Sequence, residues 1–258
     1  MDKSKIEEYF SKVAFSYDDF AHPQKGWANY LISKINHMRE PGRILDVGTG
    51  TGYLLFGLAE KYPNSEIFGC DIALGMVEYA KKKAEKENIR KIELRKADFE
   101  CLPYPDNYFD IVVSNVAFQW ALDIRKALSE AVRVLKPGGS IYFTFLGKNS
   151  LKELREALKR VEMDSFFDHK LFQEKELRML IKEKSWKSLN IEVKAEKVVF
   201  EDIVSCLRWL KAIGANHGLR LEKKGLVFGK KILDYKKYNL EKFFIVFEVF
   251  YMWGENKL

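Results

Sequence analysis

One stretch decides the fold of this chain: Arg43-Ile44-Leu45-Asp46-Val47-Gly48-Thr49-Gly50-Thr51-Gly52-Tyr53. It predicts a short buried strand, a turn with glycine at alternate positions, and a helix over about 53–60. Glycine has no Cβ, so such a turn adopts backbone angles closed to other residues and lets a ligand approach the main chain. The spacing D-x-G-x-G-x-G lacks the third glycine of the dinucleotide fingerprint, since Tyr53 stands there. Asp46 before the turn disfavours a phosphate and favours a cationic group.

The stretch resembles motif I of the class I methyltransferases that use S-adenosylmethionine (SAM), whose sulfonium and amino groups are positive. The resemblance implies that SAM is the cofactor and that four residues of the stretch contact it: Asp46, Gly48, Gly50 and Gly52.

The composition is that of a soluble globular protein, with 258 residues, 47% apolar, 31% charged and a net charge of +7. No apolar run approaches the ~20 residues of a membrane span. The first ten residues are too charged for a secretory signal. The three scattered cysteines and four isolated histidines lack metal-ligand spacing, so we expect a cytoplasmic protein with reduced thiols and no metal site.

Strand and helix patterns alternate from residue 42 to about 147, as in a parallel sheet covered on both faces. The predicted strands of this core are 44–47, 66–71, 92–96, 109–114 and 140–145. The predicted helices are 53–60, 76–87 and 124–135, and 136–139 is a predicted turn. Because 109–114 is a continuous apolar run, we expect that strand to be central.

The flanking segments complete one predicted domain, 1–258. An N-terminal lid over 1–40 has a helix and then a loop within 4–20, a break at His22-Pro23, and a second helix over 24–37. A cap over about 148–240 has predicted helices at 150–162, 173–184, 203–213 and 226–237 and a strand at 188–200. A last strand at 243–251 is antiparallel by resemblance. The expected fold is therefore Rossmann-like, with a mostly parallel seven-stranded sheet.

Further candidates for SAM contact follow the predicted strands, where open α/β sheets bind ligands. Asp71 ends the second strand, where a carboxylate accepts hydrogen bonds from both ribose hydroxyls; a helix N-cap is the alternative. Asp98 and Phe99 follow the third strand and resemble the family's adenine clamp. Asn115 follows the fourth and resembles the position that faces the methionine part.

Two apolar residues complete the predicted cofactor set. Ile72 is next to Asp71, and Met76 matches a position that flanks adenine. Core packing is an equally good interpretation of Met76.

Stretches outside motif I resemble the malonyl-acyl-carrier-protein O-methyltransferases of biotin synthesis. They span almost the whole chain, although the region after Asn216 matches poorly. They are Phe10–Asp18 with Ala21 and Gln24, Ser114–Trp120, Thr144–Gly147 with 150–155, and Leu210–Ala215.

The resemblance implies methyl transfer to a malonyl carboxylate, which is ionised at neutral pH and needs no general base. Accordingly the sequence offers no catalytic residue. Arg155 borders the apolar stripe of its helix, where a guanidinium can grip a carboxylate; an ordinary surface arginine is the alternative. Tyr17 is a possible lid residue, or a core aromatic.

The implied partner is malonyl-acyl carrier protein, an acidic domain, or malonyl-CoA. The net charge and the lysines of 223–237 suit an acidic partner, although a solvated basic face explains them too. The absence of an Asn/Asp-Pro-Pro-Tyr motif argues against nucleic acid. Two other functions stay open: another small-molecule methyltransferase, acting on a quinone ring or other carboxylate, and a SAM-binding scaffold without turnover.

Overall fold

A computed structural model describes residues 2–36, 40–160, 170–182, 186–215, 232, 235 and 241–257. The strands over these residues are β1 (Arg43–Val47), β2 (Glu66–Asp71), β3 (Ile92–Lys96), β4 (Phe109–Asn115), β5 (Leu135–Leu146), β6 (Trp186–Phe200) and β7 (Phe243–Asn256). The helices are α1 (Lys3–Phe20), α2 (His22–Lys34), α3 (Tyr53–Lys61), α4 (Leu74–Lys86), α5 (Ile124–Arg133), α6 (Lys152–Arg160), α7 (Glu174–Lys182) and α8 (Ile203–Ala212). A 3-10 turn, Phe118–Trp120, follows β4.

The seven strands form one sheet in the order β3-β2-β1-β4-β5-β7-β6. The first five are parallel, whereas β7 is antiparallel to both β5 and β6. The predicted fold is therefore confirmed, and β4 is central. Its apolar run is buried on both faces because helices cover both sides of the sheet.

The turn predicted at 136–139 is part of a strand. Phe109 pairs with Leu135, and the next pair in register is Ile111 with Ser140, so four residues of β5 bulge out opposite one residue of β4. Gly138, at φ +72°, supports this irregularity.

The N-terminal segment differs from the prediction in two places. The loop expected at the end of 4–20 is helical, because α1 continues to Phe20. The expected break at His22-Pro23 is the first turn of α2, where proline is tolerated because its missing N–H would have no partner.

Helix α1 is clamped between α4 and α8. Gly75 of α4 approaches Ser11 so closely that a Cβ would lie 2.7 Å from the Ser11 carbonyl oxygen. On the other side, the Tyr9 hydroxyl donates to the carbonyl of Lys211 at 2.8 Å. These contacts hold α1 across the carboxyl ends of the parallel strands.

Several predicted features lie outside the described residues: His37 at the end of the second predicted helix, the helix at 226–237 apart from the isolated positions 232 and 235, and the lysines of 223–237. No described helix is long and apolar enough to cross a membrane.

Candidate active site

A cavity lies beneath α1, at the carboxyl ends of β1 to β4. Nine of the twelve predicted site residues line it, all except Asp46, Gly52 and Arg155. The strand ends and the segments that follow them bring together eight of these residues, from positions 48 to 115, and α1 contributes Tyr17. Two walls can be distinguished. We call the side formed by the ends of β1, β2 and β3 the polar wall.

The glycine turn shapes the polar wall in three ways. A side chain at Gly48 (φ +71°) would overlap the methyl group of Ala117. A Cβ at Gly50 (φ +54°) would have no protein atom within 4 Å, so the open space beside it belongs to the cavity. Gly52 (φ +86°) is the N-cap residue of α3, and a Cβ there would meet the Phe56 ring at 2.7 Å. Gly52 therefore forms the turn and does not face the cavity.

Asp46 lies beneath the turn and is only 1% exposed. The Thr49 hydroxyl donates to its carboxylate at 2.8 Å. Burial raises the pKa of Asp46 to about 7; the charge of Asp71 adds to the rise, and the Thr49 hydrogen bond opposes it. Asp46 therefore supports the turn from below and places a titratable group there.

Asp71 fixes the position of the turn. Its carboxylate accepts from the backbone N–H of Gly50 at 2.9 Å and from that of Ala73 at 2.8 Å. Burial raises the pKa of Asp71, and these N–H groups oppose the rise. The N-cap residue of α4 is Ala73, so Asp71 is not itself that cap.

Asp98 takes part in an ion pair that the sequence did not reveal. Lys3 of α1 places its Nζ 2.6 Å from Asp98 Oδ2 and 2.9 Å from Glu100 Oε2. The other Asp98 oxygen accepts from the Glu100 backbone N–H at 2.9 Å. Because 95 residues separate Lys3 from Asp98, no local pattern could have predicted the pair.

Asn115 is held by the protein at both ends of its side chain. Its Nδ2 donates to the carbonyl of Gln24 at 3.0 Å, and its Oδ1 accepts from the Thr144 hydroxyl at 2.7 Å. Thr144 Oγ1 also accepts from the backbone N–H of Val116 at 2.8 Å. Val116 has φ 48°, an uncommon conformation for a β-branched residue, and it lines the cavity.

Tyr17 also lines the cavity. Burial raises the pKa of its hydroxyl, and the charges of Asp71 and Asp18 raise it further, so Tyr17 is neutral at physiological pH. The carboxylate of Asp18 accepts from the Thr51 hydroxyl at 2.7 Å and from Lys83 Nζ at 2.8 Å. This holds the C-terminal part of α1 against motif I.

The opposite side of the cavity, which we call the apolar wall, comes from α2, the end of β5, the residue before α6, α8 and β7. It consists of Trp27, Leu146, Leu151, Leu210, Ile213 and Phe247. Within the cavity two side-chain oxygens, Oε1 of Gln24 and Oε1 of Gln119, are buried without a hydrogen-bond partner. The sequence did not mark these two glutamines as site residues, although both belong to the stretches that resemble the malonyl-acyl-carrier-protein O-methyltransferases.

Arg155 does not line the cavity. It is half-buried, and its Nη2 donates to the carbonyl of Lys148 at 3.0 Å. Its backbone N–H donates to the carbonyl of Leu151, which does line the apolar wall. Burial lowers the pKa of Arg155, and the charges of Glu153 and Glu156 oppose that shift. The clamp predicted for Arg155 stays a prediction.

The polar wall fits SAM in its chemistry. Open space beside Gly50 admits a ligand to the main chain, and Asp71 and Asp98 line the cavity at the two strand ends predicted to contact ribose and adenine. The acidic lining also suits a ligand that carries a sulfonium and an ammonium group.

Comparison with known proteins gives a consistent result. A family model described as a methyltransferase domain matches residues 45–143. The malonyl-[acyl-carrier protein] O-methyltransferase of Geobacter sulfurreducens is 33% identical over 240 residues, covering 91% of this chain and 89% of that protein. A protein named malonyl-[acyl-carrier protein] O-methyltransferase 2, from Ilyobacter polytropus, is 33% identical over 86% of this chain and 85% of its own length.

Among solved structures, the Haemonchus contortus phosphoethanolamine N-methyltransferase 2 in complex with SAM superposes with a TM-score of 0.64. It is 16% identical and covers 98% of this chain and 60% of that one. This likeness concerns the fold.

Proposed function

The chain belongs to the malonyl-[acyl-carrier protein] O-methyltransferases, and from that premise we propose that it methylates the free carboxylate of a malonyl thioester on acyl carrier protein. The product would be the malonyl methyl ester with which biotin synthesis begins.

One observation carries the substrate assignment: the similarity to these relatives extends well beyond the SAM-binding core. The general methyltransferase model stops at residue 143, whereas the Geobacter relative aligns over 91% of this chain. That larger span includes segments that form the apolar wall. Since class I methyltransferases share the core and differ in the rest, this span favours the malonyl substrate over another acceptor.

The chemistry needs few groups from the protein. When bound, SAM supplies an electrophilic methyl carbon attached to a sulfonium. The malonyl carboxylate is ionised at neutral pH, so no residue has to remove a proton. The walls orient the acceptor and exclude water, and orientation of this kind contributes up to ~7–11 kcal/mol. We assign no catalytic residue.

Two residues keep the roles proposed from sequence. Tyr17, on α1 and in the cavity, would close over the methionine end as part of the lid 1–40, with its neutral hydroxyl as a hydrogen-bond donor. Arg155 would receive the malonyl carboxylate. One of its five N–H groups is used by Lys148, and a change of side-chain torsion would be needed to turn the guanidinium toward Leu151.

The partner would be acyl carrier protein, with coenzyme A as the alternative carrier. The net charge of +7 suits an acidic protein, and the interaction would be screened by salt beyond ~8–10 Å. A KM for malonyl-carrier protein that rises between 50 and 500 mM salt is expected. A constant KM over that range would show that electrostatic attraction does not contribute to recognition of the carrier protein. The proposed place of action is the cytoplasm.

The direct test is radiolabelled methyl transfer to malonyl-, succinyl- and acetyl-carrier protein side by side, with malonyl-CoA as a fourth acceptor. We expect transfer to the malonyl form and little or none to the acetyl form, which has no carboxylate to attack. Failure of malonyl-carrier protein, together with methylation of a quinone precursor, would replace this function with the alternative acceptor class.

A further inference from the structure

The cavity contains a buried amide oxygen that no protein group pairs. Gln119 is 6% exposed, lines the cavity, and its Oε1 has no hydrogen-bond partner. Buried polar atoms are paired in the great majority of cases, so an unpaired one in a cavity points to a partner on the bound molecule. Because Oε1 is an acceptor, that partner must be a donor.

Main-chain contacts connect Gln119 to the apolar wall. The Gln119 carbonyl accepts from the backbone N–H of Lys170 at 3.0 Å, and two residues further the N–H of Phe172 donates to the carbonyl of Leu146 at 2.9 Å. Leu146 belongs to the apolar wall. The next residue, Trp120, packs edge-on against Phe10 of α1, with ring centroids 5.2 Å apart. Gln119 therefore lies where the 3-10 turn meets the apolar wall of the cavity.

The chemistry of the methyl-accepting substrate limits which of its groups can donate a hydrogen bond to Gln119 Oε1. A malonyl head presents a carboxylate and a thioester carbonyl, both acceptors, which cannot pair with an amide oxygen. The ribose hydroxyls and the adenine amine of SAM face the carboxylates of Asp71 and Asp98 in the proposed arrangement. The ammonium of SAM is the other candidate donor, and binding of S-adenosylhomocysteine, which carries the same ammonium, distinguishes it from the arm. On a phosphopantetheine arm the donor nearest to the reacting carboxylate is the amide N–H two carbons from the thioester sulfur.

We propose that Gln119 Oε1 accepts a hydrogen bond from this first amide N–H of the pantetheine arm. Gln119 thereby fixes how far the malonyl group enters the cavity. The inference rests on the proposed function and adds a recognition residue for the arm. Gln24 is the competing side-chain amide, but its backbone carbonyl accepts from the Asn115 side chain, which joins Gln24 to the strand end predicted to face SAM.

The test replaces one atom of the substrate. Carrier protein is loaded with malonyl on the natural arm, or on an arm whose amide nearest the thiol is an ester, so that oxygen replaces N–H. For wild-type protein we expect kcat/KM to fall by about 5- to 100-fold with the ester arm, mainly through KM. With the natural arm, Gln119→Leu should have a kcat/KM that is lower than the wild-type value by a similar factor. Its kcat/KM values for the two arms should agree within about twofold.

Binding of S-adenosylhomocysteine, measured by calorimetry, shows whether Gln119 contacts SAM or the pantetheine arm. Gln119→Leu should keep the wild-type affinity for S-adenosylhomocysteine within about twofold. Gln173→Leu is the matched control, because it makes the same change at an exposed position outside the cavity. Gln119→Met replaces the leucine variant if the latter does not fold, and the wild-type comparison of the two arms needs no variant.

Three results would overturn the inference: equal use of both arms by wild-type protein, loss of the discrimination in Gln24→Leu but not in Gln119→Leu, or a large loss of S-adenosylhomocysteine affinity in Gln119→Leu. In each case methylation of the natural substrate leaves the proposed function standing. No transfer to the natural malonyl-carrier protein would instead remove the proposed function and this inference with it.

Discussion

The two walls of the cavity are built in different ways. The polar wall uses consecutive strand ends between residues 48 and 98, and its carboxylates are tied to nearby backbone N–H groups, as Asp71 is to Gly50 and Ala73. The apolar wall is assembled from residues between 27 and 247 and consists of hydrocarbon, with the unpaired amide of Gln119 beside it. Carboxylates that backbone N–H groups already hold in position suit a cofactor that many enzymes share. A hydrocarbon surface beside an unpaired polar atom suits a methyl acceptor that differs between enzymes.

The largest effect is expected in the polar wall, from Gly50→Val. Gly50 has φ +54° and faces open cavity, so a branched side chain there strains the backbone and fills the ligand's space. We expect S-adenosylhomocysteine affinity, measured by calorimetry, to fall more than about 100-fold, which corresponds to over ~2.7 kcal/mol.

Gly138→Val is the matched control, because Gly138 has φ +72°, also has no atom within 4 Å of a Cβ, and lies outside the cavity. Gly138→Val should have the same backbone strain but keep the wild-type affinity for S-adenosylhomocysteine. Wild-type affinity in a folded Gly50→Val protein would remove the polar wall as the SAM site.

On the acceptor side, Arg155→Ala should lower kcat/KM for malonyl-carrier protein by about 10- to 100-fold, the range for hydrogen bonds to a charged group. Arg155→Lys should restore only part of this, since an ammonium cannot form two parallel bonds. S-adenosylhomocysteine affinity should be unchanged in both variants.

Arg160→Ala serves as control, since Arg160 is an exposed residue at the end of the same helix. Near-wild-type turnover by Arg155→Ala at sub-saturating substrate would refute the clamp. The search would then move to Arg208, Arg220 and Lys211.

Asp46 makes the stability of the polar wall depend on pH. Its pKa in the fold, about 7, lies above the ordinary value of 3.8, so native protein holds a proton that unfolded protein releases. Its contribution is therefore most favourable below about pH 4 and is lost as pH rises toward 7. Asp46→Asn should raise the free energy of unfolding at pH 8 by ~1–4 kcal/mol, and by less at pH 5, in thermal or denaturant unfolding.

Asp110→Asn should behave in the opposite way. Burial pushes the pKa of Asp110 up, but the Lys136 ion pair and the backbone N–H of Arg43 outweigh it and lower the pKa. The native carboxylate is thus favoured above the unfolded pKa, and its loss should destabilise the protein at pH 8. Equal pH profiles for the Asp46 and Asp110 variants would contradict the burial argument.

The smallest effect is expected from the ion pair that joins α1 to the polar wall. Lys3 and Asp98 have side chains 28% and 32% exposed, so screening limits the pair to ~0.2–1 kcal/mol. Lys3→Met should weaken S-adenosylhomocysteine binding by about two- to fivefold at low salt and less at 0.5 M NaCl.

Lys12→Met is the control, because Lys12 pairs with Glu8 on the same helix and both are largely exposed. A tenfold loss for Lys3→Met at high salt would show that closure of α1 depends on more than this pair.

The sequence by itself determined the sheet and the polar wall. Runs of apolar residues and glycine turns are local signals, and β2 and β3 begin and end where predicted. The motif residues follow those strands directly, so predicting the strands also located Gly50, Asp71 and Asp98.

Only the tertiary structure decided the rest. The side chain of Arg155 turns to Lys148, Lys3 reaches an acid 95 residues away, and Tyr9 reaches Lys211 across 202 residues. Such contacts depend on how helices dock on the sheet, and a period of 2 or 3.6 residues carries no information about docking. The unpaired oxygen of Gln119 is the clearest case: in the sequence it is one residue of the resembling stretch Ser114–Trp120, and only burial without a partner makes it a candidate for recognition.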